Sequence, residues 1–222
     1  MIRLVDVSKR FFANGVETVV ADRVSMVFPT GKSVALLGRN GAGKSSLLKM
    51  IAGTLRPSEG RIETDGSVSW PVGFAGSFHG DLTGVQNTRF VARIHGVDSD
   101  GLVEFVRHFA GLGDHFRVPF RTYSQGMRAR LGFALSMGLA FDTYLIDEIA
   151  AVGDAAFREK CEATLADRLT GRSAIVVSHS PGFLSRVCEA GVVMDRGRAI
   201  WFDTIDDALA AHHAILQSPP KS

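Results

Sequence analysis

Gly38-Arg39-Asn40-Gly41-Ala42-Gly43-Lys44-Ser45 places three glycines, a lysine and a hydroxyl in the spacing G-x-x-x-x-G-K-[ST]. Glycines let a backbone curl around an anion with its N–H groups pointing inward, where side chains would obstruct. A helix beginning at Lys44 adds the positive end of its dipole. In this pattern the lysine reaches the β- and γ-phosphates of a nucleotide, and the hydroxyl, here Ser45, ligates Mg²⁺. The backbone from Gly38 through Gly43 forms the cradle, with Ser46 beside it in the first helical turn. A chance match in a chain of this length is about a one-in-a-hundred event.

Phe141-Asp142-Thr143-Tyr144-Leu145-Ile146-Asp147-Glu148 supplies the complement, a buried strand that ends in two carboxylates. At the C-terminal edge of a parallel sheet such groups face the crevice where ligands bind. Asp147 is placed to hold Mg²⁺, directly or through water, and Glu148 to orient and polarise an attacking water. His179 follows another apolar run, Ser173-Ala174-Ile175-Val176-Val177. An imidazole at that edge can hydrogen-bond a γ-phosphate and orient the water.

These groups need a parallel sheet with helices between its strands. Ile2 through Phe28 alternates around Asn14-Gly15 and predicts antiparallel strands. Ser33–Leu37, Thr143–Ile146 and Ser173–Val177 read as fully buried strands, with helices over about 44–52 and 155–169. Strand, helix, strand at these lengths implies right-handed crossovers. From about Gly84 to Leu139 the pattern is helical, over 85–95, 101–110 and 126–139, and predicts a helical subdomain inserted into the α/β core. Val192–Met194 and Ala199–Phe202 flank Asp195-Arg196-Gly197 as a hairpin, and a last helix covers about 204–216. The reading is a single domain over residues 1–222.

The composition is that of a globular domain: 45% of the 222 residues are hydrophobic and 22% charged, which excludes wholesale disorder. A net charge of +2 gives no reason to expect nucleic acid as a partner. Cys161 and Cys188 fall on apolar helical stripes and read as buried thiols in a reducing compartment. No run approaches the ~18–20 apolar residues of a bilayer span, and no signal peptide opens the sequence. Any membrane role must come through a partner.

The decisive stretch is Tyr123-Ser124-Gln125-Gly126-Met127-Arg128-Ala129-Arg130-Leu131. It resembles the signature motif of ABC-type ATPases, Leu-Ser-Gly-Gly-Gln, matching at Ser124 and Gly126 and departing at Tyr123, Gln125 and Met127. A serine hydroxyl and open N–H groups at a helix start make a second γ-phosphate clamp. The resemblance implies that two ATP molecules are sandwiched in a homodimer, where one chain's Lys44 and Glu148 work with the other's Ser124 and Gly126. It also implies an aromatic ring on the adenine, Phe11 or Phe12. Ala151-Val152-Gly153-Asp154 resembles the loop that crosses that dimer interface. Where the family carries a glutamine that meets Mg²⁺ and senses the membrane domain, this chain has His79. That ring either contacts the metal or its water, or only touches the membrane partner.

Ser69-Trp70-Pro71, Gly73-Phe74-Ala75-Gly76-Ser77-Phe78, Leu82-Thr83-Gly84 and Arg121-Thr122-Tyr123-Ser124 narrow the resemblance to the ATP-binding subunit of bacterial capsular polysaccharide exporters. Related exporters of O-antigen and teichoic acid share much of the pattern, and some carry a further carbohydrate-binding domain, for which there is no room after the last helix. The implied protein is a peripheral ATPase on the cytoplasmic face of the inner membrane, acting on polysaccharide through a separate transmembrane subunit. A non-transport ATPase acting on DNA or ribosomes and a small-molecule kinase are the rival readings. Arg121, Arg128 and Arg130 read as a solvated basic face beside the phosphates.

Overall fold

Alternation at the N-terminus produces two long antiparallel strands, β1 (Ile2–Ala13) and β2 (Val16–Phe28), with Ile2 and Leu4 buried and Arg3 exposed between them. A computed structural model describes residues 1–13, 15–72, 78–148 and 154–217. The chain continues through β3 (Ser33–Gly38), α1 (Lys44–Ile51), β4 (Glu59–Thr64), β5 (Val68–Pro71), α2 (Gly84–Ile94), α3 (Ser99–Ala110), α4 (Gln125–Gly138) and β6 (Thr143–Asp147). It then forms α5 (Ala155–Leu169), β7 (Ser173–Val177), α6 (Pro181–Val187), β8 (Ala190–Asp195), β9 (Arg198–Phe202) and α7 (Ile205–Gln217). Residues 14, 73–77, 149–153 and 218–222 lie outside the described residues, and with them Ala151-Val152-Gly153 and Gly73-Phe74-Ala75-Gly76-Ser77 of the sequence reading.

Two compact units result. The first takes in Met1–Pro71, Phe141–Glu148 and the chain from Leu169 onward. It holds a three-stranded antiparallel sheet, β2-β1-β4, and a six-stranded sheet in the order β5-β6-β7-β3-β8-β9. The larger sheet is parallel from β5 to β8, and β9 joins its edge antiparallel to β8. β3 is buried along its whole length, as is β7, because both faces of the sheet are covered. Leu36, Leu47, Leu48, Ile175 and Val192 share one apolar core with Ile2, Leu4 and Val7 of β1. Each such side chain contributes about 1.5–3 kcal/mol on burial, so both sheets and α1 are held by one cluster.

Three elements of this unit escape the sequence pattern. β4 exposes every residue except Ile62, so it carries no apolar alternation. β5 is only four residues long and ends in Pro71, which an edge strand tolerates. A clasp fixes it beside β6: Asp142 Oδ2 accepts from the Ser67 N–H at 2.7 Å and from its hydroxyl at 2.8 Å. Those two bonds hold the Asp142 carboxyl below its ordinary pKa. α6, seven residues long, begins at Pro181 behind a Ser180 cap.

The second unit comprises Val72–Ala140 and Ile149–Arg168. The helical stretch read from the sequence falls inside it, together with α5. Thr83 and Gln86 form a reciprocal capping box at α2, Asp98 caps α3, and Ser124 caps α4. Phe109 stacks on Phe133 at 5.8 Å and meets Phe157 of α5 edge-on at 5.9 Å. Arg168 closes the end of α4 by donating to the carbonyls of Met137 and Leu139 at 2.6 and 3.0 Å. Cys161 and Cys188 are buried, and burial pushes both thiols up to about 12. Among the described residues no helix is long and apolar enough to cross a membrane.

Gly191 of β8 lies under α7, and a Cβ there would stand 2.3 Å from the Ala208 methyl. Gly191→Ala should therefore cost about 1–3 kcal/mol through overpacking. Urea unfolding should show a lower midpoint with an unchanged slope. A midpoint that stays put would mean α7 is not packed on β8 as described.

Candidate active site

The phosphate loop is the turn between β3 and α1. Gly38 ends β3 at φ +150°, and a Cβ there would lie 2.5 Å from the Met194 carbonyl oxygen. Gly43 precedes α1 at φ +99°, where a Cβ would lie 2.6 Å from the Val20 carbonyl oxygen. At both places left-handed backbone and close approach exclude other residues. No side chain caps α1 and no acid sits in its first turn, so its leading amides face outward for an anion. Ala42 N–H donates to the Arg39 carbonyl at 3.0 Å and closes the turn.

Lys44 Nζ donates to the carbonyls of Gly38 and Arg39 at 2.7 and 3.0 Å. Burial draws its pKa down, opposed by the Asp147 and Glu148 carboxylates. A cavity of about 250 Å³ is lined by Asn40, Gly41, Gly43, Lys44, Ser45 and Ser46, with Asp147 and Glu148 from the end of β6, Val177 at the end of β7, His179 just beyond it, and Val20 of β2. That is below the ~300–1,000 Å³ of pockets that enclose a whole ligand. It suits a polyphosphate tail whose base lies outside. Gly38, Arg39 and Ala42 build the loop without lining the cavity.

Glu148 sits at φ +52°, an uncommon conformation for a side chain of its kind, and its N–H donates to the Val177 carbonyl at 3.0 Å. Backbone held off its preferred regions concentrates at functional sites. His179 Nε2 is 3.4 Å from Glu148 Oε1, with both side chains about half exposed. So exposed a pair contributes little stability; its consequence is that a base and an imidazole share one edge of the cavity. The oxygen donors Ser45 and Asp147 suit a hard cation such as Mg²⁺.

The other sequence-predicted residues sit elsewhere. Phe11 is 40% and Phe12 75% exposed on β1, and neither lines the cavity. Lys9 Nζ lies 5.0 Å from the Phe11 centroid, so one face of that ring is taken and the other is open to a purine. Ser124, Gly126 and Asp154 belong to the second unit, where they line a pocket of about 390 Å³ with His115 and Arg130. The Ser124 oxygen accepts from the Met127 N–H at 3.3 Å, which leaves its own proton to donate. Gly126 has open space around it. His79, in the second unit, accepts the Asp81 N–H on Nδ1 at 3.3 Å, so a further ligand meets Nε2.

Each of the three arginines read as a solvated basic face has a partner. Arg130 pairs with Asp154 at 2.7 Å and covers the Phe157 ring, Arg128 donates to the Tyr123 and Arg121 carbonyls, and Arg121 pairs with Asp81. Val20 is a cavity residue that sequence reasoning passed over, since a valine in a strand carries no chemical signal. The reach of the Arg39 side chain from the loop to α7, where it donates to the Ile215 and Leu216 carbonyls, was passed over as well.

Residues 21–151 match the ABC transporter family, more than half of the chain. The chain is 42% identical over 216 residues to the capsule polysaccharide export ATP-binding protein CtrD of Neisseria meningitidis serogroup B, covering 97% of this chain and 100% of that protein. It is 45% identical over 204 residues to the polysialic acid transport ATP-binding protein KpsT of Escherichia coli, covering 91% of each. The ATP-binding cassette MJ0796, solved as a dimer with ADP and Pi, shares the fold at a TM-score of 0.78 and 18% identity, over 92% of this chain and 99% of that one. The protein belongs to the ABC transporter family, and it binds and hydrolyses ATP.

Gly43→Ala places a methyl against Val20 in a left-handed backbone that alanine disfavours, so the loop must shift. ATP affinity should fall about tenfold, the effect of roughly 1–3 kcal/mol of strain. Equilibrium titration with nucleotide checks this, and unchanged affinity would mean the loop does not hold the phosphates.

Proposed function

We propose that this chain is the ATP-hydrolysing subunit that powers export of capsular polysaccharide across the inner membrane through a separate transmembrane subunit. One observation carries the reading: Lys44, Ser45, Asp147, Glu148 and His179 converge on one cavity in a chain that matches polysaccharide-export ATP-binding proteins over almost its whole length. In this reading the loop amides and Lys44 hold the phosphates, Glu148 activates the attacking water, and His179 orients it and meets the γ-phosphate. Ser45 and Asp147 would hold Mg²⁺, which would supply positive charge to offset that of the phosphates. Phe11 stacks on the adenine with its uncovered face.

The reading extends to the assembly. Ser124 and Gly126 of a second copy close over the γ-phosphate, with the Ser124 proton and the open amides of α4 as donors. ATP thereby joins two chains, and hydrolysis releases them. Contacts that exist only while a γ-phosphate is present are a general means of holding one of two conformations. His79, with Nε2 outward, either meets the metal's water or reports the membrane subunit. The cargo is handled mainly by that subunit, and this chain stays peripheral on its cytoplasmic side.

Cells carrying Glu148→Gln as their only copy should accumulate polysaccharide inside and show a bare surface. A normal surface coat made with a hydrolysis-dead variant would discard the export reading and leave the ATPase standing.

A further inference from the structure

Ser124 leads into α4 out of a turn, and three hydrogen bonds from one residue hold the backbone on both sides of it. Arg128 lies one helical turn further on, and its N–H donates to the Ser124 carbonyl at 3.0 Å as the first bond of α4. Its guanidinium reaches back past the helix start, where Nε donates to the Tyr123 carbonyl at 3.1 Å and Nη2 to the Arg121 carbonyl at 3.0 Å. Both carbonyls precede the N-cap, so the helix ladder cannot satisfy them. A planar fork of donors can bridge two such acceptors, which a single ammonium cannot do in fixed geometry. The guanidinium also lies 5.2 Å from the centroid of the buried Phe120 ring.

The segment ahead of the serine is pinned on its other side as well. The Arg121 N–H donates to the Gly80 carbonyl and the Phe120 N–H to the Leu82 carbonyl, each at 2.8 Å. The Tyr123 carbonyl belongs to the peptide that enters Ser124. With that peptide held by the guanidinium and the leaving carbonyl held by the Arg128 N–H, Ser124 is fixed at φ −62° and ψ 162°. The direction of its Cα–Cβ bond is fixed with it, and the oxygen beyond accepts the Met127 N–H at 3.3 Å. A guanidinium engaged by two carbonyls and a ring is placed to orient the serine.

We propose that Arg128 is a positioning residue for Ser124: it keeps the hydroxyl and the leading amides of α4 aimed at the γ-phosphate held by a second copy, and so sets the strength of the ATP-joined dimer without touching the nucleotide. This rests on the dimer reading above. Arg128 then matters for the nucleotide on the second copy, and not for the one held by its own chain.

The test uses the purified full chain carrying Glu148→Gln, with ATP and Mg²⁺. Sedimentation reads ATP-driven dimerisation, calorimetry the ADP affinity, and urea unfolding the stability. Arg128→Ala should weaken the ATP-joined dimer about tenfold or more, the order of one charge-assisted hydrogen bond, with ADP affinity within about twofold of the parent. Arg128→Met keeps an apolar stem over Phe120 and loses the donors, so it should weaken the dimer as much. Combined with Ser124→Ala, Arg128→Met should cause no further loss, because the two act as one unit. A residue that only stabilised the fold would lower the urea midpoint and leave the dimer of the folded protein alone. If Arg128→Ala does not fold, the Met variant decides. An unchanged dimer in Arg128→Met, or the same loss from it with and without Ser124→Ala, would overturn the proposal. Ser124→Ala alone separates the two claims. If ATP drives no dimer, or Ser124→Ala leaves the dimer unchanged, the dimer reading falls and Arg128 with it; a dimer weakened by Ser124→Ala but not by Arg128→Met removes Arg128 alone.

Discussion

Lys44 is an ammonium held half-buried by two backbone carbonyls, and the order of the site follows from that arrangement. The carbonyls belong to Gly38 and Arg39, so their direction is set by the end of β3. β3 is fixed because it lies inside a parallel sheet, hydrogen-bonded to β7 on one side and β8 on the other. Burial weakens the hold of the lysine on its proton, and the carboxylates of Asp147 and Glu148 oppose this from the neighbouring strand edge. In the proposed reading a triphosphate is the anion that Lys44 meets when it leaves those carbonyls. The same side chain therefore links the buried sheet, the acidic strand end and the ligand.

That constraint explains the elements around it. β6 and β7 bring Asp147, Glu148 and His179 to the loop because parallel strands end together on one side of a sheet. The sheet needs β5 at its edge, and the Ser67–Asp142 clasp holds β5 in place with polar bonds where there is little apolar surface to bury. α7 packs on the strand beside β3 so closely that Gly191 must be glycine. In the second unit the signature helix α4 starts at Ser124 with a cap that satisfies the Met127 amide and leaves a hydroxyl proton to spend. In the proposed reading structure and chemistry share the same side chain there, since an N-cap serine is both a helix start and a donor.

Much of this was legible in the sequence, for identifiable reasons. Ser33–Leu37 and Ser173–Val177 are short unbroken apolar runs next to glycine or serine, and such runs fit only buried strands. The phosphate loop is legible because its residue types are each demanded by close backbone approach or by charge. β4 was not legible, since a strand with five exposed positions of six has no period. The arginines at 121, 128 and 130 read as a solvated basic face; that each is also committed to a carboxylate or to backbone carbonyls leaves no trace in spacing.

The account stands on Glu148 as the group that activates water in a cavity where Lys44 holds the phosphates. The most direct measurement is a single-turnover experiment on purified Glu148→Gln with ATP and Mg²⁺, following bound ATP and released phosphate together. The account predicts that ATP is bound and retained, while its cleavage slows by about a hundredfold or more, as loss of a positioned base requires. Cleavage at the wild-type rate would contradict it.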